Sequence, residues 1–238
     1  MREFDLIAGT AMLALAACNG SDGQPSADQP TTSAASAAAT QTCAEFPNNP
    51  DAGEGTRPVM ILSQFASFVK ASDTTLTVQR NSGPPACIDI GGVDITSFDT
   101  FLDGRMLGVE IIGNEYNSYL LVDGDGTSAP VETGMKPVFS PSGRRFASVD
   151  ISEARFGAFE ALGVWEVNGN AIRNLVKLED ILERGYDWKL VRWASDDCVV
   201  FSTAADPSGV DLTERKFHEL RLTGRPELKD VDAAATCK

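Results

Sequence analysis

The chain has 238 residues, a formal net charge of −14, a single histidine and a hydrophobic fraction of 42%. So acidic a chain excludes the broad basic surface that nucleic-acid backbones require, and it argues against adsorption to anionic lipid through charge. Its 5 cysteines form no CxxC pair and gather no histidine cluster, which removes the usual signatures of structural zinc.

Residues 1–17 read as an export signal. An apolar run from Leu6 to Ala17 is too short to span a bilayer and gives way to small residues, as a signal cleavage region does. The positive start is weak, because Arg2 is offset by Glu3 and Asp5. The segment ends in Leu15-Ala16-Ala17-Cys18, which resembles the lipobox of bacterial lipoproteins. That resemblance implies cleavage before Cys18, diacylation of its thiol and acylation of the new N-terminus. A plain signal peptide cut elsewhere would instead discard Cys18. Enterobacterial lipoproteins with Asp after the lipidated cysteine stay in the inner membrane. Asn19 stands there in this chain, so the resemblance favours the outer membrane.

Residues 18–42 predict a disordered tether. They are almost entirely Gly, Ser, Thr, Ala, Gln, Asp and Pro, and cannot bury enough apolar surface to offset the entropy of ordering. Such a spacer would carry a folded domain clear of the headgroups, and several acyl chains would anchor it where one would bind marginally.

Residues 43–238 suffice for one domain with its own core. The even count of Cys43, Cys87, Cys198 and Cys237 predicts two disulfides in an exported domain. Three connectivities are open. Sequential pairing closes two local loops and is the expectation, while Cys43 with Cys237 would staple the domain's ends.

Runs of apolar and β-branched residues between Gly, Pro, Asn and Asp predict strands at Val59–Leu62, Leu76–Arg80, Met106–Ile112, Tyr119–Val122, Phe146–Asp150, Leu162–Val167, Cys198–Thr203 and His218–Leu222. One segment has helical spacing, Leu178 to Arg184, with Gly185 as its cap.

Within this pattern three segments repeat. Phe139-Ser140-Pro141-Ser142-Gly143-Arg144-Arg145-Phe146 leads into Gly163-Val164-Trp165-Glu166-Val167. Phe101-Leu102-Asp103-Gly104-Arg105-Met106 leads into Tyr119-Leu120-Leu121-Val122. Trp193-Ala194-Ser195-Asp196-Asp197-Cys198 leads into His218-Glu219-Leu220-Arg221-Leu222. Aromatic, tight turn and apolar strand in that order resemble blades of WD40 and TolB-type propellers. The spacing is uneven, at 38 residues from Phe101 to Phe139 and 54 from Phe139 to Trp193, against a usual period of about 40–45. With a diverged unit around Leu76 to Ile90, the resemblance implies an all-β fold. It would be antiparallel blade-like repeats in a small or incomplete propeller-like meander, with one short helix and no sign of a full six- or seven-bladed ring.

Candidate chemistry is sparse. Asp123-Gly124-Asp125-Gly126 could start a calcium loop through Asp123 and Asp125, but Ser128 and Gly134 replace the Gly and Glu of an EF-hand, and Asp-Gly is also a hairpin turn. His218, the lone imidazole, reads as a surface or capping residue on a strand rather than a catalytic base. No GxSxG elbow and no phosphate-cradling loop is present, so no cofactor or metal is expected. Asp99, Asp103 and Asp150, near repeated turns, are the carboxylates to inspect for acid–base work. Among Trp165, Trp188, Trp193, Tyr116, Tyr119 and Tyr186, the repeat positions Trp165 and Trp193 are expected in the core. Tyr186-Asp187-Trp188 lies outside the repeat and is the candidate contact for a protein or sugar. The expectation is a periplasm-facing lipoprotein with a non-enzymatic binding or structural domain, its partner an envelope protein or glycan. The alternative is a carboxylate-dependent envelope hydrolase.

Overall fold

The computed structural model describes residues 43–46, 65–113, 117–150, 159–179, 181, 185–206, 211–232 and 237. All of them fall in one compact unit that begins at Ala39. Among the described residues fifteen strands run through it: β1 (Val69–Ala71), β2 (Thr75–Val78), β3 (Ala86–Asp89), β4 (Asp94–Phe101), β5 (Met106–Ile112), β6 (Asn117–Asp123), β7 (Val131–Glu132), β8 (Val138–Phe139), β9 (Arg145–Asp150), β10 (Ala161–Asn168), β11 (Ala171–Leu178), β12 (Lys189–Ser195), β13 (Cys198–Ala204), β14 (Arg215–Arg221) and β15 (Glu227–Val231). They form four antiparallel sheets, each a meander of strands consecutive in sequence: A (β1–β3), B (β4–β7), C (β8–β11) and D (β12–β15). The fold is all-β with blade-like repeats, as the sequence implies.

Among the described residues there is no α-helix, and no helix long and apolar enough to cross a membrane. The segment expected as helical is corrected at its start, because Leu178 closes strand β11. Its residues 180 and 182–184 lie outside the described set, as do Val59–Leu62, Tyr116 and everything up to residue 42.

Alternation along each strand decides how the sheets stack. In sheet B, Leu107, Val109, Ile111 and Val122 meet Leu76, Val78 and Ile88 of sheet A. The opposite face of B offers Met106 and Leu121 to Phe146 and Trp165 of sheet C. The other face of C sends Ala147, Leu162 and Val164 against Val199, Phe201 and Leu220 of sheet D. Sheets B and C are thus covered on both sides. Their inner strands read as near-continuous buried runs, such as Met106–Val109 and Ala161–Trp165. Among the described residues no apolar cluster joins D back to A.

The three repeats occupy equivalent places. Phe101, Phe139 and Trp193 each stand near the end of a sheet's first strand, before the turn into its second. Phe101 meets Phe139 across the B–C boundary at 5.1 Å, Phe139 meets Phe146 at 5.3 Å, and Phe146 stacks on Trp165 at 5.1 Å. The Trp193 indole N–H donates to the Val138 carbonyl at 2.9 Å and ties D to C.

Both disulfides pair sequentially, Cys43 with Cys87 and Cys198 with Cys237, with Cα separations of 5.7 and 6.2 Å, inside the range that disulfides span. Each sits on an end sheet of the array and ties a flanking segment to it. Residues 43–46 cross the outer face of sheet A. There the Phe46 N–H donates to Thr75 Oγ1 at 3.0 Å and Thr74 Oγ1 donates to the Phe46 carbonyl at 3.0 Å.

Candidate functional site

Polar residues concentrate in three places, and each is built by the meander. At the β4–β5, β8–β9 and β12–β13 turns, charged side chains lock neighbouring sheets. Arg144 and Arg145 of sheet C reach Asp196 and Asp197 of sheet D, and the Ser142 N–H donates to Asp196 Oδ1 at 3.1 Å. Hydrogen bonds from Ser142, with Arg144 adding to them, hold the Asp196 carboxyl well below the usual carboxylate range. Arg105 grips buried Asp123 with two bonds, at 3.0 and 2.7 Å, and donates as well to the Gly169 carbonyl of sheet C. Asp123 and Asp125 are the two carboxylates that the sequence offers for a calcium loop. The guanidinium of Arg105 supplies the positive charge beside Asp123, and Asp125 accepts from Asn81 at 2.7 Å and lies 4.0 Å from Arg105.

The second cluster lies between sheets B and C, around the connection from β7 to β8. Tyr119 is buried and its hydroxyl donates to Asp99 Oδ2 at 2.8 Å, while Lys136 Nζ reaches Asp99 Oδ1 at 2.6 Å. The Tyr119 ring lies over Gly108, where a Cβ would come within 1.9 Å of its hydroxyl oxygen. Burial would push Asp99 up, but Lys136 and Tyr119 outweigh it and bring the carboxyl below its ordinary value. Asp150, on β9, goes the other way. Burial pushes it up, against the Phe159 N–H that donates to its Oδ2 at 3.1 Å. Gly134, at φ +71°, leaves the room that Asp150 fills. Two carboxylates whose environments drive them apart flank the same connecting loop, and opposed environments are one of the things an acid–base pair needs. Asp103, by contrast, is an exposed turn residue at φ 56°.

The third cluster is in sheet D. His218 is 3% exposed, which corrects the surface role expected for it. Its Nε2 is 3.0 Å from Thr203 Oγ1, its Nδ1 is 2.9 Å from Asp230 Oδ1, and its ring packs on Trp188 at 4.7 Å. Hydroxyl, imidazole and carboxylate stand in the order of a nucleophile, base and orienting acid. Thr203 is 1% exposed, however, with Gly185 packed over its side chain. The trio links β13, β14 and β15.

The contact expected from Tyr186-Asp187-Trp188 divides. Trp188 is buried in the C–D core, and its indole N–H is shared between the Ile181 and Gly185 carbonyls at 3.2 and 3.0 Å. Asp187 is engaged by Arg215 and Lys189. Of the three only Tyr186 is exposed. Trp165 is in the core, as expected, and Trp193 packs at its margin. No pattern in the sequence marks Met135, Val138 and Val191. These are exposed apolar residues on or beside the first strands of sheets C and D.

No protein-family model and no curated protein matches the sequence. Comparison with solved structures aligns 68% of this chain with 55% of a Bacteroides uniformis protein provisionally assigned as a 6-phosphogluconolactonase, at 10% identity and a TM-score of 0.34. This chain spans about half of that protein's length.

Proposed function

We propose that this protein is a lipid-anchored component of the bacterial envelope, whose four-sheet domain is a non-enzymatic binding or structural module. The observation that carries the reading is the distribution of thiols. Of 5 cysteines in the chain, four form two disulfides, and Cys18 is the one left over. Paired cysteines fit an oxidising compartment, and the odd one stands in the sequence Leu-Ala-Ala-Cys. The polar clusters are spent on joining sheets and strands, while Met135, Val138 and Val191 remain outside for a partner. Asn19 favours the outer membrane, with the domain facing the periplasm and an envelope protein or glycan as partner. The experiment is metabolic labelling with an alkyne fatty acid. The parent chain should carry the label and sediment with membranes. Cys18→Ser should lose both, and a labelled or still membrane-bound Cys18→Ser protein would overturn the reading.

The opposed shifts of Asp99 and Asp150 fit the alternative, a carboxylate-dependent hydrolase, and Asp150→Asn measures what the buried Asp150 charge costs the fold. A carboxyl raised on folding is favoured in its protonated form, so its ionisation costs stability once pH rises above the folded value. That cost is absent below the unfolded value, near pH 4. Asp150→Asn is therefore expected to be more stable than the parent at pH 7, and the advantage to vanish toward pH 3. Urea unfolding at both pH values measures it. A loss of stability at pH 7 would show that the charge is needed in place.

A further inference from the structure

On the outer face of sheet D the register places Cys198 opposite Arg221 and Val200 opposite Glu219, so Cys198, Glu219 and Arg221 share one surface. Cys237 is brought to the same spot by its bond to Cys198. The two sulfurs and a carboxylate oxygen of Glu219 lie within 4.8 Å of one another. The Glu219 side chain is 3% exposed, and its Oε2 accepts from Arg221 at 3.1 Å. Its Oε1 is buried with no hydrogen-bond partner. An orphaned carboxylate oxygen in a buried position is costly. This one is oriented through its other oxygen, as a ligating carboxylate is held by an outer partner.

We propose that the reduced form of this chain binds one thiophilic divalent cation through Cys198 Sγ, Cys237 Sγ and Glu219 Oε1. Two thiolates and one carboxylate around a tetrahedral metal leave a fourth position for water or an added ligand. Charge also balances, since the dication and the Arg221 guanidinium together offset the three anionic ligands. The redox step consumes an external dithiol. The Cys198–Cys237 bond is reduced to two thiols as the dithiol becomes a disulfide, and metal binding then releases the two thiol protons. Oxidation closes the site by joining the sulfurs. The proposal stands apart from the envelope reading, because it depends on sheet D alone and not on Cys18.

The test is titration of the phosphine-reduced full-length chain with Cd²⁺ under anaerobic conditions, read by thiolate-to-cadmium charge-transfer absorption and by circular dichroism of the sheets. One equivalent should bind to the parent and to the Cys43→Ser/Cys87→Ser variant. Cys198→Ser/Cys237→Ser should bind none at the same concentrations. Glu219→Gln should bind about tenfold more weakly or worse, since loss of even an outer partner costs that much. Unaltered binding in Glu219→Gln, or equal binding in the Cys198→Ser/Cys237→Ser variant, would overturn the proposal. So would a reduced parent chain that loses its sheet signal and does not regain it with Cd²⁺.

Discussion

Phe146→Ala is expected to lower the unfolding free energy by about 3–5 kcal/mol, the range for truncating a buried aromatic. Phe146 is fully enclosed between sheets B and C, with Phe139 at 5.3 Å on one side and Trp165 stacked at 5.1 Å on the other. Removing the ring leaves a cavity that cannot collapse easily, because Trp165, Met106 and Leu121 around it are themselves held from two sheets. Phe146→Leu, which keeps most of the volume, should recover the larger part of the loss. Urea unfolding followed by tryptophan fluorescence checks both. A loss below about 1 kcal/mol in the alanine variant would mean that the B–C boundary does not carry the stability assigned to it.

Removing one disulfide is expected to cost about 2–4 kcal/mol, the common range for native bridges. The bridges close segments of 44 and 39 residues, lengths for which the chain-entropy account gives close to 4 kcal/mol each. The near-equal lengths make the two losses similar on that account alone. The bridge at Cys43 should nonetheless cost more. It holds residues 43–46 across sheet A, where they cover buried Thr75 and Thr77 and bond to both hydroxyls. Paired Cys→Ser variants at 43/87 and at 198/237, compared by denaturant midpoint, measure the difference. Equal costs would show that the strap adds nothing beyond loop closure.

The sequence made some strands plain and hid others for a physical reason. Those read from the pattern, over Leu76–Arg80, Met106–Ile112, Tyr119–Val122, Phe146–Asp150, Leu162–Val167, Cys198–Thr203 and His218–Leu222, correspond to β2, β5, β6, β9, β10, β13 and β14. Every one is an inner strand of its sheet, paired on both sides and buried. The strands that escaped include β4, β11, β12 and β15, which are sheet edges. Edge strands carry charge that discourages pairing with other chains, as in Glu227–Val231 with its two acids and one lysine, and this breaks the apolar alternation. The β12 pairing is further interrupted by register shifts on either side of Arg192 and Trp193.

The candidate sites were less legible. Asp99 and Asp150 stood out as carboxylates near turns, but their opposed environments depend on Lys136, Tyr119 and Phe159, which are remote in sequence. Trp188 and His218 resembled surface residues because polar and charged neighbours surround them in the chain. Only tertiary packing brings their rings together. The orphaned oxygen of Glu219 has no sequence signal at all, since the strand register and the return of Cys237 create its setting.

Every described strand pairs only with a neighbour along the chain, and that sets an order of assembly. A chain delivered from its N-terminus, whether by a ribosome or through a translocation pore, can finish each sheet without waiting for a distant partner, which favours rapid local folding. What it cannot do is cover the newest face. Sheet B completes at Glu132, yet Met106 and Leu121 stay bare until Phe146 and Trp165 arrive. The vulnerable interval in biogenesis is therefore short and recurs once per sheet, and a holding chaperone would meet a succession of half-covered sheets rather than one large unfolded chain.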